Sequence, residues 1–154
     1  MQARLDEQSV IQANSQFWEQ MLAMKLDALP GAEQPRLSAA HMSGSVALSG
    51  AWTGVIEVRL ASGLAFQATA AMMMQTLDSV VEADALDAIR EIANMIAGTI
   101  KSSLPRPCSM SVPNSAVERE AYFVPCPAED TLLVAFRHPT GDLTVRVYEQ
   151  ECAQ

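Results

Sequence analysis

The stretch from residue 84 to residue 103 constrains the fold more than any other part of the sequence, because it predicts a long amphipathic helix. At about 100° per residue, six apolar side chains fall on one side of this helix: Leu86, Ile89, Ile92, Ala93, Ile96 and Ile100. Asp84 is expected to be the N-cap, with Asp87 in capping-box spacing, and Leu104-Pro105-Arg106-Pro107 ends the helix. Such a stripe has to be buried against a second layer, and we expect that layer to be a β-sheet.

Alternating apolar and polar residues on both sides of this helix predict the strands of the sheet. Residues 42 to 60 alternate around Gly50 and Gly54, which is typical of a β-hairpin. Further strands are predicted at Ser109–Val112, Tyr122–Val124, Thr131–Phe136 and Leu143–Tyr148. Turns are predicted at Pro113-Asn114, at residues 127 to 130 and at residues 139 to 142.

Two more helices are expected before the long one. Apolar residues at three- and four-residue steps predict a helix over residues 4 to 29, ended by Pro30-Gly31. Ser62 is expected to cap a short helix over residues 63 to 74, whose run of three methionines we interpret as core and loop packing. The element order α, β, β, α, α, β, β, β, β favours a single α+β domain over residues 1–154 with a largely antiparallel sheet.

Composition argues against two classes of partner. Eighteen acidic and ten basic residues give a formal charge of −8, whereas nucleic acids and anionic membranes attract a positive contact face. The longest apolar runs are about five residues, too short to cross a bilayer, and the N-terminus carries no secretory signal. We therefore expect a cytoplasmic protein that binds neither nucleic acid nor membrane.

Cysteine and histidine give no sign of a metal centre or of an activated nucleophile. Cys108, Cys126 and Cys152 are odd in number and widely spaced, which favours reduced thiols over disulfides or a zinc site. His41 and His138 stand alone, and we expect neither to be a general base. The sequence contains no GxGxxG, Walker or GxSxG motif.

Opposite the apolar stripe, the long helix presents four small or polar residues within about 60° of one another: Asp87, Glu91, Asn94 and Gly98. Glu91 and Asn94 are three residues apart, so their side chains are neighbours. A glycine in a helix interior costs about 1 kcal/mol relative to alanine, which makes Gly98 unusual for a merely solvated face. A smooth patch beside an amide and a carboxylate suits the close approach of another backbone, and incidental surface residues are the alternative.

The helix from Asp84 to Ser102 resembles the signature of the CheC/CheX/FliY chemotaxis phosphatases, an acidic residue followed by Glu-x-x-Asn and a glycine four residues later. The match is closest to CheX, and it extends to Leu48–Gly54 and Leu104–Val117, which are similar to the family's hairpin and short strand. The resemblance implies a two-layer CheC-like fold with two long helices and one short helix. It also implies a single site, since residues 7 to 29 lack a second Glu-x-x-Asn.

By this resemblance, the chain would dephosphorylate the aspartyl phosphate of a CheY-like receiver domain. Asn94 would orient the attacking water, and Glu91 would pair with the receiver's active-site lysine. Gly98 would contact the partner, while Asp87 would either cap the helix or contact the partner. The family resemblance also implies a homodimer, and it places Mg²⁺ in the receiver, so this chain would need no cofactor of its own.

Two other functions are compatible with the sequence. A non-catalytic module of the same superfamily would bind a receiver or a flagellar-switch-type partner without hydrolysis, although such members lack the Glu-x-x-Asn pair. A small-molecule-binding α+β domain would instead show a deep apolar cavity near Met72.

Overall fold

A computed structural model describes residues 5–29, 35–122 and 131–150 of the chain. Its helices are α1 (Glu7–Leu22), α2 (Ser62–Met73) and α3 (Glu82–Lys101). Its strands are β1 (Asp27–Ala28), β2 (Met42–Gly50), β3 (Gly54–Leu60), β4 (Cys108–Met110), β5 (Asn114–Val117), β6 (Thr131–His138) and β7 (Gly141–Glu149). They form one antiparallel sheet in the order β1-β6-β7-β3-β2-β4, with β5 also paired to β2. The predicted α+β class, with a sheet packed by two long helices and one short one, is confirmed.

Strand alternation explains the two-layer packing. In β3 the residues Ile56, Val58 and Leu60 are fully buried, while the residues between them are partly exposed. The predicted hairpin is confirmed, with Val46 opposite Ile56 at its centre. The buried alternate residues of the strands join the apolar faces of the helices in one core.

The first helix is shorter than the sequence pattern predicts. It ends at Leu22, because Ala23 adopts a left-handed conformation with φ of 53° and the N–H of Met24 donates to Trp18 O. The chain then turns back along β6, and Met24 and Leu26 are buried there without being helical. The expected stop at Pro30-Gly31 lies outside the described residues.

The N-termini of the other helices correct two expected caps. Helix α3 begins at Glu82 with Val81 as N-cap, and the Asp84 carboxylate accepts a long 3.5 Å hydrogen bond from the Val81 N–H. Asp84 is therefore in the first turn and is not the N-cap. Helix α2 begins at Ser62 itself, whose hydroxyl donates to Ala40 O instead of capping the helix.

The segment after α3 contains a strand that the sequence reading missed. Asn114, expected in a turn, opens β5 and pairs with Ser45 of β2. Tyr122 forms only an isolated bridge to Leu37. The rest of the expected strand at residues 122–124, the turn at 127–130, Cys126 and Cys152 lie outside the described residues.

The methionine run only partly packs as expected. Met72 is partly buried against the core, but Met73 and Met74 are 42% and 93% exposed. No helix among the described residues is long and apolar enough to cross a bilayer.

Candidate functional site

Helix α3 lies across β2 with the predicted stripe facing inward. Five of the six stripe residues are buried and Leu86 is partly buried. The contact is close because Gly44 of β2 has no side chain: a β-carbon there would lie 2.7 Å from Cγ2 of Ile89 and 3.1 Å from Cβ of Ala93. This packing fixes the rotation of α3 and therefore fixes which residues point away from the sheet.

The outward side of α3 carries the four residues singled out in the sequence. Asp87, Glu91 and Gly98 are exposed, and Asn94 is half-buried. Within the described residues, neither Glu91 nor Asn94 makes a side-chain hydrogen bond or an ion pair. Both side chains are therefore available to an incoming partner, and we call the exposed surface of Glu91, Asn94 and Gly98 the α3 face.

Gly98 opens the α3 face to close approach. A β-carbon at this position would meet nothing within 4 Å, so no contact with the described residues requires a glycine here. Glycine nonetheless costs a helix about 1 kcal/mol relative to alanine. Gly98 therefore lowers the stability of the helix, and no packing among the described residues compensates for it. Such a glycine is expected where another protein approaches the helix closely.

Asp87 differs from the other three outward residues because it already has a partner. Its carboxylate forms an ion pair with Arg90, and Arg90 donates a 2.9 Å hydrogen bond to Ser115 Oγ of β5. Because α3 begins at Glu82, Asp87 lies in the second turn and the helix-capping alternative is wrong. The structure places Asp87 next to the α3 face, in a bridge that ties the helix to β5.

A surface hollow of about 490 Å³ continues the α3 face past Gly98. It is lined by Gly98, Lys101, Ser102, Arg106, Pro107 and Cys108. Lys101 and Arg106 were not predicted as site residues from the sequence. The helical spacing of Lys101 from Gly98 could have indicated its side of the helix, but Arg106 belongs to a loop whose position depends on tertiary packing.

The loop that carries Arg106 is fixed against the β2–β3 turn. The N–H of Ala51 donates a 2.8 Å hydrogen bond to Pro107 O, and Cys108 Sγ donates to Trp52 O at 3.4 Å. Gly50 permits this approach, because its φ is +131° and a β-carbon there would collide with Pro107 O. The glycine-punctuated hairpin therefore supports the loop whose residues Arg106, Pro107 and Cys108 line the hollow.

Histidine, cysteine and acidic residues form no metal cluster in residues 5–29, 35–122 and 131–150, where no group of three or more could hold an ion. Cys108 is buried with a free thiol. His41 is buried, with Nδ1 2.8 Å from Ser38 O and Nε2 2.9 Å from Arg59, while His138 contacts Thr140 in the β6–β7 turn.

Comparison with known proteins identifies the family. The family model for chemotaxis phosphatase CheX matches residues 42–136, which include the whole of α3, the hairpin and the hollow. No curated protein sequence gives a significant match.

Solved structures share the fold across nearly the whole chain. The chemotaxis protein CheX from Vibrio vulnificus superposes with a TM-score of 0.73 at 15% identity, covering 94% of this chain and 95% of that one. The CheX–CheY–BeF3–Mg²⁺ complex from Borrelia burgdorferi gives 0.71 at 18% identity, covering 96% of this chain and 100% of that one. FliY from Thermotoga maritima gives 0.62 at 14% identity, covering 94% and 91%. At these identities the likeness shows the fold alone.

Proposed function

Because the chain belongs to the CheX family of chemotaxis phosphatases, we propose that it hydrolyses the aspartyl phosphate of a CheY-type receiver domain. The observation that carries the proposal is the α3 face, where Glu91 and Asn94 have no side-chain partner among the described residues and lie beside the open Gly98. A solved relative contains CheX together with CheY, BeF3 and Mg²⁺. We extend that pairing to this chain as part of the proposal.

Asn94 is assigned to the attacking water. In the reaction a water oxygen bonds to phosphorus while the bond between phosphorus and the aspartyl oxygen breaks, giving inorganic phosphate and a free carboxylate. The acyl phosphate is already an activated electrophile, so holding water in line supplies much of the rate gain. An amide can accept a hydrogen bond from that water at any physiological pH.

Glu91 is assigned to anchoring the receiver. It lies one helical turn before Asn94 and is exposed, so it can reach a cation on a docked surface. A lysine in the receiver's phosphorylation site would bind it by a charge-assisted hydrogen bond. That contact would fix the depth at which Asn94 enters the receiver.

The divalent cation belongs to the receiver in this proposal. Carboxylate oxygens of a receiver are suitable ligands for Mg²⁺, which prefers carboxylates and phosphate oxygens. The ion would neutralise the phosphoryl oxygens as the new bond forms. This chain would contribute Asn94 and Glu91 to a site completed by its partner.

The proposal further includes a homodimer in the cytoplasm. Among the described strands, β1 pairs with only Phe136 and Arg137 of β6, so much of the outer edge of β6 has no strand beside it there. Such an edge can pair with a second chain. The buried free thiol of Cys108 suits a reducing compartment. Sedimentation velocity of the purified chain tests the dimer.

The deciding experiment follows the decay of receiver domains phosphorylated with acetyl phosphate. CheY-type receivers from the same genome are each tested with wild-type protein, with Asn94→Ala and with Gln20→Ala, an exposed amide on α1. Wild type and Gln20→Ala should accelerate decay of the cognate receiver, and Asn94→Ala should lose about 100-fold of that acceleration. Full acceleration by Asn94→Ala would rule out the mechanism.

The same assay separates the alternative functions. Binding of the phosphorylated receiver without faster decay would select the non-catalytic module. The small-molecule alternative predicts a ligand bound in an apolar cavity near Met72, which a ligand-soaked crystal would test.

A further inference from the structure

Two cations line the hollow beside the α3 face, and the described residues offer them no acidic partner. Arg59 and Arg90 are each ion-paired with a carboxylate of this chain. Lys101 and Arg106 form no ion pair within the part of the chain that the structure describes. The chain as a whole has a formal charge of −8, so the positive charge of Lys101 and Arg106 at the hollow is opposite to the net charge of the chain.

The position of the two cations is set by the fold. Lys101 is three residues after Gly98, about 4.5 Å further along the helix axis. Arg106 is flanked by Pro105 and Pro107, whose rings restrict the backbone. The hydrogen bond from Ala51 N–H to Pro107 O holds that loop on the β2–β3 turn.

The local structure accounts for only one of these charges. A lysine in the last turn of a helix interacts favourably with the helix dipole, and this explains Lys101 without a ligand. Arg106 lies outside the helix and has no such role. Arg106 lines the same hollow as Gly98, which is the open end of the α3 face.

We propose that this hollow docks an acidic segment of the receiver domain, next to the phosphorylated aspartate. The proposal rests on the function proposed above, which places the receiver's phosphorylation site over Asn94. Lys101 lies seven residues further along α3, about 10 Å along the axis. The hollow would therefore face the surface that borders the phosphorylation site. Glu91 on the α3 face and the two cations in the adjoining hollow carry opposite charges, and this polarity fixes the direction in which the receiver docks.

The test measures affinity for the receiver loaded with beryllofluoride and Mg²⁺. Arg106→Glu reverses one charge on an exposed loop residue, and Lys25→Glu makes the same change on an exposed residue beside β1. Strands β1 and β4 lie at opposite ends of the sheet, about 24 Å apart. A second variant, Lys101→Gln, neutralises the other cation.

Arg106→Glu should raise the dissociation constant about tenfold at low salt. The difference from wild type should shrink between about 0.05 M and about 0.3 M NaCl, because salt screens the interaction. Lys101→Gln should weaken binding in the same direction, and Lys25→Glu should stay within about twofold of wild type. Dephosphorylation of the receiver should be unchanged in Lys25→Glu, since Lys25 lies outside the proposed docking surface.

Equal dissociation constants for Arg106→Glu and Lys25→Glu would overturn the docking proposal and leave the hydrolase intact. Weaker binding by Arg106→Glu, with no acceleration of decay by wild type, would uphold the docking site and overturn hydrolysis. The last control is a titration with inorganic phosphate alone, which tests whether the hollow binds small anions. If it shifts the NMR signals of residues 98–106 at millimolar concentration while receiver binding ignores Arg106→Glu, the hollow is a small-anion site and the proposal is wrong.

Discussion

Gly44 lies directly beneath Ile89, so closely that a β-carbon on the glycine would stand 2.7 Å from Ile89 Cγ2 and 3.0 Å from Ile89 O. The missing side chain lets α3 settle onto β2. Because the second atom belongs to the helix backbone, a side chain at Gly44 could not be accommodated by a rotamer change alone. The orientation of the α3 face therefore depends on Gly44 of β2, which packs against the opposite, buried side of α3.

Gly44→Ala and Gly98→Ala should change stability in opposite directions. The first forces a methyl group into a packed contact, so we expect a loss of about 1–3 kcal/mol in the free energy of unfolding. The second adds a methyl group in open space and improves helix propensity, so we expect a gain of about 0.5–1 kcal/mol. Urea denaturation of both variants measures the difference, and a destabilised Gly98→Ala would make Gly98 a packing residue.

Gly98→Leu should separate folding from docking. Gly98 is exposed and a β-carbon there meets no described residue, so the protein should remain folded with a thermal midpoint close to that of wild type. The same side chain would occupy the surface that the receiver approaches, so its affinity should fall at least about tenfold. Ala71→Leu, at an exposed position of α2, is the matched control for added apolar bulk. Unchanged affinity of Gly98→Leu would remove Gly98 from the interface.

Glu91→Gln should weaken receiver binding more than the equivalent change elsewhere on α3. The amide keeps the shape of the side chain but loses the charge that a lysine would meet, and hydrogen bonds to charged groups contribute about 1.5–3 kcal/mol. Glu82→Gln, an exposed glutamate in the first turn, is the control. Isothermal titration with beryllofluoride-loaded receiver measures both variants, and equal affinities would contradict the assigned anchor.

Asp87→Asn tests the remaining role for that residue. The Asp87–Arg90 pair is on the surface, with Asp87 71% exposed, so its loss should change stability by less than about 1 kcal/mol. It also frees Arg90, next to Glu91 in the chain, to compete with the receiver's lysine. If Asp87 contacts the partner, receiver affinity should fall in Asp87→Asn and stay low in the double variant with Arg90→Ala. If Asp87 instead holds Arg90 away from Glu91, affinity should fall in Asp87→Asn and recover in the double variant.

The parts of the fold that the sequence predicted are those with strong periodicity. The isoleucine stripe of α3 and the alternation in β2 and β3 are properties of single segments, so their buried faces could be assigned without tertiary information. The outward positions of Glu91 and Gly98 followed from the same helical geometry.

The parts that were missed depend on contacts between distant segments. Ala23 ends α1 in a left-handed conformation that ordinarily favours glycine or asparagine, so no residue signalled the stop. Strand β5 has the mixed sequence Asn-Ser-Ala-Val and owes its conformation to pairing with β2. Arg106 and Gly98 line one hollow although they belong to a loop and a helix, and the approach of Pro107 to Gly50 that holds this loop is a tertiary contact.

Tyr122 should make the fold sensitive to high pH. Burial raises the pKa of its phenol above the usual 10.0, and the positive charge of Arg146 opposes that shift without cancelling it. Its hydroxyl is buried without a hydrogen-bond partner among the described residues, and the Arg59 guanidinium lies 4.3 Å from the ring centre. Above pH 10 the unfolded chain releases this proton while the folded chain retains it, so stability falls as the pH rises past that point.

Tyr122→Phe should remove this sensitivity and keep the ring contact with Arg59. At neutral pH its free energy of unfolding should equal that of wild type or exceed it by about 1 kcal/mol, because an unsatisfied hydroxyl is lost. Between about pH 9 and pH 11 its stability should decline less steeply. Tyr148→Phe is the matched control, since that ring has the same 4.3 Å contact with Arg146. Urea denaturation across this range decides the matter, and an equally steep decline in Tyr122→Phe and wild type would show that the buried phenol is not the group responsible.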